Sequence, residues 1–150
     1  MNSTIEQELQ RNGHGFFQTV GDSMEPMLHG RSSTVVIAKA QDTLKKYDIA
    51  LYRLPDGEYV LHRVWKVRPR DYIICGDNRL RWETIPREWI IGVVTGYYAD
   101  TGDPYISCDS EMYRKYLRSL RGRYCARWVK AFSSRVKRKT RSLLERFFYK

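Results

Sequence analysis

The sequence predicts a mainly β domain, a small bent antiparallel sheet or partial barrel, followed by a basic amphipathic α-helical extension. Three observations predict it. Six short β-type runs fall between residues 16 and 97, separated by Gly, Pro and Asp turn signals. Pro55-Asp56-Gly57, between two of those runs, is a hairpin signal. From Asp109 onward the apolar residues recur at three- and four-residue spacing instead, which is the period of a helix.

The chain opens with Ser3-Thr4-Ile5-Glu6, a capping-box pattern that starts a short helix, and Gly13 ends it. The β runs are then Phe16–Val20, Thr34–Ala38, Ile49–Arg53, Tyr59–Val67, Tyr72–Cys75 and Ile90–Tyr97. Many short strands with a tight hairpin favour a strongly bent sheet. In the helical region Met112, Tyr116 and Leu120, then Tyr124, Trp128, Phe132 and Val136, then Leu143, Leu144, Phe147 and Phe148 form an apolar stripe with Arg and Lys in the gaps. Gly122 is the expected break. Residues 1–110 are accordingly one domain and residues 111–150 a tail, with no internal repeat or low-complexity segment.

Charge divides the chain at the same place. Residues 1–110 hold 13 Lys and Arg against 15 Asp and Glu, a net −2, whereas residues 111–150 hold 14 against 2, a net +12. A chain of 150 residues buries a core without covalent staples. Cys75, Cys108 and Cys125 are odd in number and lack Cys-x-x-Cys spacing, so neither a zinc site nor a disulfide framework is indicated. The three histidines have no metal-ligand spacing, and no cofactor is called for. Met1 to Arg11 carries Glu6 and Glu8 without an apolar run, and no apolar stretch approaches the roughly 20 residues of a spanning helix. The expected location is the cytoplasm.

The chemistry-bearing residues come in the order hydroxyl, imidazole, carboxylate: Ser23 in Gly21-Asp22-Ser23-Met24-Glu25-Pro26, His62 in Leu61-His62-Arg63-Val64, and Asp77 in Gly76-Asp77-Asn78-Arg79. A serine hydroxyl needs an adjacent general base, and that base needs a third group to hold its tautomer. Pro26 fixes the chain after the serine, Met24 and Met27 offer apolar anchors, and Gly21 lets a substrate backbone approach. The Ser23 N–H, with a neighbour around Gly21 and Asp22, is the candidate oxyanion donor. On a strand, Val60, His62 and Val64 share an apolar face, where desolvation keeps an imidazole neutral and able to accept a proton. His14 and His29 lack this setting and read as loop or surface residues.

Ser-Met-Glu-Pro at 23–26, His-Arg-Val at 62–64 and Gly-Asp-Asn at 76–78, in that order and spacing, resemble the S24/S26 peptidases, in particular the histidine-type signal peptidases of the endoplasmic reticulum and archaea. The resemblance covers roughly residues 16–97. It implies a signal-peptidase/LexA-like β fold, with Ser23 as nucleophile and His62 as the base that replaces the lysine of other members. It implies cleavage of a peptide or small precursor protein beside small residues. The orienting acid stays open between Asp77 and Glu83: lysine-type members share the Gly-Asp-Asn stretch without a histidine to orient, and a second acid a few residues on corresponds to Glu83.

Two features depart from that family. Only 22 residues precede Ser23, with nothing among them that spans a membrane, so a general signal peptidase is not expected. Gly30-Arg31 stands where relatives commonly carry Gly-Asp. A LexA-like self-cleaving regulator is disfavoured, because Met1 to Asp22 is too short for a DNA-binding head and holds neither an Ala-Gly nor a Cys-Gly bond.

The tail brings in a rival of another class, a non-catalytic or regulatory member acting as a binding module. Trp128, Phe132 and Phe147 could insert into an anionic membrane at the inner face while Arg and Lys hold the headgroups. Arg135, Lys137, Arg138 and Lys139 also make a polyanion site for nucleic acid, although no nucleic-acid motif accompanies them. The third occupant is the β domain itself, against which the stripe would pack.

Overall fold

The computed structural model describes residues 4–148, with side chains to residue 133. Among these residues the order is α1 (Ile5–Asn12), β1 (His14–Gln18), β2 (Thr34–Lys39), β3 (Ile49–Arg53), β4 (Tyr59–Val67), β5 (Asp71–Cys75), β6 (Glu83–Pro86), β7 (Ile90–Tyr98), β8 (Ile106–Ser107) and α2 (Glu111–Phe148). The strands form one antiparallel sheet in the order β1-β2-β7-β3-β4-β5-β6, and β8 pairs with the C-terminal end of β7. β1 and β6 are the outer strands of that path, so the sheet is open. Register shifts at Val36/Ile37, Leu51/Tyr52 and Val64/Lys66 bend it.

The bend buries both faces. One core joins Leu9 of α1, Met24, Met27 and Leu28 of the β1–β2 connection, Val35, Ile37, Ile49, Leu51 and Val94 of the sheet, and Tyr113 of α2. The other gathers Ala50, Tyr52, Val64, Tyr72, Ile74 and Ile85 with Leu44. Four consecutive residues of β3, Ile49 to Tyr52, are therefore buried.

β3 and β4 have the predicted bounds. β6 and β8 were not anticipated: β6 ends on a proline and buries only Ile85, and β8 is two residues long, so neither shows a period. In α1 the cap is Thr4 rather than Ser3. Its hydroxyl accepts from Gln7 N at 3.3 Å and the Gln7 side chain accepts from Thr4 N at 3.0 Å, moving the capping box one residue on. Gly13 ends the helix as expected, at φ 75°.

α2 departs from expectation twice. It runs through Gly122 without a break. A lone glycine costs a helix only about 1 kcal/mol relative to alanine, and packing of Leu120 and Tyr124 on either side outweighs that. The face turned to the sheet is Tyr113, Leu117, Leu120 and Tyr124, with Tyr116 beside it, while Met112 is exposed. The helix start coincides with the division at residue 110, yet its first turns complete the core of the β domain. Beyond them Trp128, Val129 and Phe132 are 54%, 67% and 59% exposed. The side chains of Arg135, Lys137, Arg138, Lys139 and Phe147 lie outside the described residues. Among the described residues no helix is long and apolar enough to cross a membrane.

Candidate active site

His62 stands on β4 opposite Ala50 of β3, and the alternation of the pleat puts Val60, Val64, Ala50 and Tyr52 on its face. Val64 pairs across β5 with Ile74, and Ile74 pairs with Glu83, so one lateral row carries the same face out to the first residue of β6. The result is a short chain of polar atoms on an otherwise apolar surface. Tyr52 Oη lies 3.1 Å from His62 Nδ1 and donates to Glu83 Oε2 at 2.9 Å, and His62 Nδ1 is itself 3.4 Å from Glu83 Oε2.

Ser23 lies in the β1–β2 connection, half-buried. The apolar side chains of Met24, Met27 and Leu28 sink that connection into the core, and Ser33 Oγ fastens its return by accepting from His29 N at 2.7 Å and donating to Ala99 O. The β5–β6 loop clamps it from the other side. Asn78 N donates to Ser23 O at 2.8 Å, Asn78 Nδ2 to Asp22 O at 3.1 Å, and Arg79 pairs with Asp22 Oδ1 at 2.5 Å. Gly76 is what lets these segments meet: a Cβ there would fall 2.6 Å from Ser23 O and 3.1 Å from His62 Nε2. The Cδ2–Nε2 edge of the ring therefore lies against Gly76, which also abuts the Ser23 carbonyl, while Nδ1 faces Tyr52.

Ser23, His62, Glu83 and Arg79 line one cleft of about 510 Å³, walled by apolar side chains including Phe17, Leu51 and Leu61. Among the described residues no hydrogen bond joins the Ser23 hydroxyl to the imidazole, and the Ser23 N–H meets no protein acceptor. Gly21, at φ 80°, and Asp22 also line the cleft. Met24 contributes to its floor, whereas Pro26 is exposed on the turn and does not line it, so its part is in the shape of the connection.

Burial pulls the His62 imidazole below the ordinary histidine pKa, against the opposing pull of Glu83. The ring is thus a neutral acceptor at pH 7. Burial and the Glu83 carboxylate both push the Tyr52 phenol upward, so it keeps its proton. Burial also raises the Cys75 thiol to about 11, which leaves it an inert neighbour.

Among the described residues Asp77 makes no hydrogen bond or ion pair with His62. It is buried and forms a two-point pair with Arg63, whose Nε and Nη2 donate at 2.7 and 2.6 Å, and it accepts from Tyr116 Oη at 2.9 Å. Arg63 follows His62 and so points to the opposite face of the sheet, which carries Asp77 away from the imidazole. Glu83 remains as the acid beside His62. The same pair ties α2 down: Arg63 Nη1 donates to Tyr113 Oη at 2.7 Å, and Arg127 donates to Asp77 O. His14 and His29 are exposed, as expected.

Sequence reasoning missed Tyr52, the buried pairing of Arg63, and Tyr113, while Tyr116 and Tyr124 stand in the predicted helical stripe, Tyr116 without its bond to Asp77. Tyr52 sits in a run with no alternation to mark its face. For Arg63 one signal was present, an arginine between apolar strand residues with an aspartate due nearby, although a charge on a strand ordinarily marks the solvent side. Among the described residues no group of three potential ligands could hold a metal ion. Compared with known proteins, the chain matches no family model, and none of the curated proteins matches it.

Proposed function

We propose that this protein is a serine endopeptidase of the Ser-His type, resembling the signal-peptidase and LexA-like peptidases, that processes a peptide or small precursor. One observation carries the proposal: His62 has Tyr52 and Glu83 at Nδ1, while its Cδ2–Nε2 edge lies against Gly76, which abuts the clamped segment that bears Ser23, and both residues line one cleft. Ser23 Oγ attacks the scissile carbonyl as His62 Nε2 takes its proton. The oxyanion forms against the Ser23 N–H and a neighbouring donor near Gly21 or Asp22. The protonated imidazole returns its proton to the leaving amine, and water then hydrolyses the acyl-enzyme with His62 again as base. Small residues beside the scissile bond are the expected specificity, with apolar side chains accommodated along the cleft.

The experiment is a mass-spectrometric screen of a defined peptide mixture for cleavage products. Ser23→Ala and His62→Ala should each abolish cleavage without unfolding the protein, and the double variant should be no worse, because groups acting as one unit are not additive. Turnover near wild type in either purified single variant would overturn the mechanism.

A second reading attaches to the tail, favoured by the exposure of Trp128, Val129 and Phe132 on α2, in a stretch of sequence, residues 111–150, that carries a net +12. Those side chains would enter the interfacial region of an anionic bilayer while the Lys and Arg side chains hold its headgroups. Surface binding of this kind would bring Ser23 to substrates at the inner membrane face. It would also be what a non-catalytic member retains.

A further inference from the structure

Taking Ser23 and His62 as the catalytic pair, which rests on the peptidase reading, we infer that Tyr52 is the positioning residue that fixes the His62 tautomer and connects the imidazole to Glu83. Counting protons gives the assignment. A tyrosine hydroxyl has a single proton, and a carboxylate accepts only. Tyr52 Oη donates that proton to Glu83 Oε2 at 2.9 Å, so toward His62 Nδ1, 3.1 Å away, it offers only a lone pair. His62 must then donate from Nδ1–H, which leaves Nε2 bare. That nitrogen is on the ring edge against Gly76, which also abuts the Ser23 segment.

The same geometry serves the next step. When Nε2 takes the serine proton, the imidazolium already has Tyr52 Oη as acceptor at Nδ1, and the Glu83 carboxylate lies 3.4 Å away to balance the charge. No atom has to move to receive it. Glu83 alone is a loose partner, because its side chain is 36% exposed while that of His62 is 12% exposed. Tyr52 is 0% exposed, and packing holds its ring among Ala50, Val64 and Ile74. A buried phenol thus supplies the rigidity that the rim carboxylate lacks.

The test uses the full chain with ¹⁵N-labelled histidine. Long-range ¹H–¹⁵N spectra at pH 8, with the His62 signals assigned by His62→Gln, should show Nδ1 protonated and Nε2 bare. Tyr52→Phe, which keeps the buried ring, should turn this into a mixture of tautomers. Wild-type protein with Nε2 protonated, or a Tyr52→Phe spectrum unchanged from wild type, would overturn the inference. With a cleaved peptide in hand, Tyr52→Phe should lower kcat on the order of 10²-fold with KM little changed. Glu83→Gln should do much the same, and the double variant should be no worse than the weaker single one. Losses that multiply would mean that the two act separately. Should Ser23→Ala still cleave, the peptidase reading falls while the tautomer result stands or falls by itself. Glu83→Gln, altered at the rim, repeats the tautomer test if Tyr52→Phe does not fold.

Discussion

Arg63 and Asp77 meet through two parallel N–H···O bonds of 2.7 and 2.6 Å in a place where neither side chain is exposed to solvent. Arg63 adjoins His62 in β4, and Asp77 adjoins Asn78, whose N–H holds the Ser23 carbonyl. The pair therefore joins the strand that carries His62 to the clamp on the Ser23 segment, and the tyrosines of α2 close over it. Removing one partner leaves the other charge buried without a counterpart, which costs about 3–5 kcal/mol. Asp77→Asn should lower the urea-unfolding stability by about that much, whereas Glu83→Gln should leave stability nearly unchanged and lose turnover. The opposite pattern would return the orienting role to Asp77.

The pH dependence follows from His62. Its pKa in the folded protein lies below the ordinary value of about 6.5 because burial disfavours the cation, against the raising pull of Glu83 and a smaller one of Asp77 and with a lowering push from Arg79, and Tyr52 Oη sits at Nδ1. The acid limb of kcat/KM should therefore have its midpoint below about 6.5. The unfolded chain binds this proton more readily than the folded one, so the stability contributed by neutral His62 should be lost as pH falls through 6.5 toward the folded value. A limb centred above 7 would contradict the assignment.

Two truncations should behave differently. Deleting residues 134–150 should leave melting and cleavage of a soluble peptide unchanged. Deleting 111–150 strips Tyr113, Leu120 and Tyr124 from the core, each large apolar side chain worth roughly 1.5–3 kcal/mol, and opens the Arg63–Asp77 pair to water. That protein should fail to fold stably. A cut at residue 123 removes Tyr124 and Arg127 and should fall between the two, as read by thermal melting.

Binding to anionic vesicles should be measurable at low salt by flotation and should weaken steeply as salt rises, since screening acts over about 8 Å at physiological ionic strength. Trp128→Ala with Phe132→Ala should weaken binding at every salt concentration, because the loss is of inserted apolar area. Retention on RNA without vesicle binding would assign the basic face to nucleic acid instead.

Much of the architecture was legible from residue order, because strands and helices are announced by local periods. β3 and β4 could be bounded to the residue, since their β-rich runs end at turn signals. The mainly β domain and the helical extension were legible for the same reason. Ser23 and His62 could be singled out only as a set, because each local feature alone reads as a turn serine or a core histidine and it is their order and spacing with Gly76-Asp77-Asn78 that resembles a peptidase pattern.

What tertiary structure alone decided is which side chains share a face after the sheet bends. Asp77 and Glu83 are six residues apart and equally acidic in sequence, yet the loop and the pleat send one to Arg63 and bring the other beside His62. Tyr52 became part of the site because two antiparallel pairings, β3 with β4 and β5 with β6, bring it between the imidazole and the carboxylate. The tail divides at residue 127 for the same kind of reason. Helical period predicts a stripe, but only the matching surface of the β domain determines how far along α2 that stripe is covered.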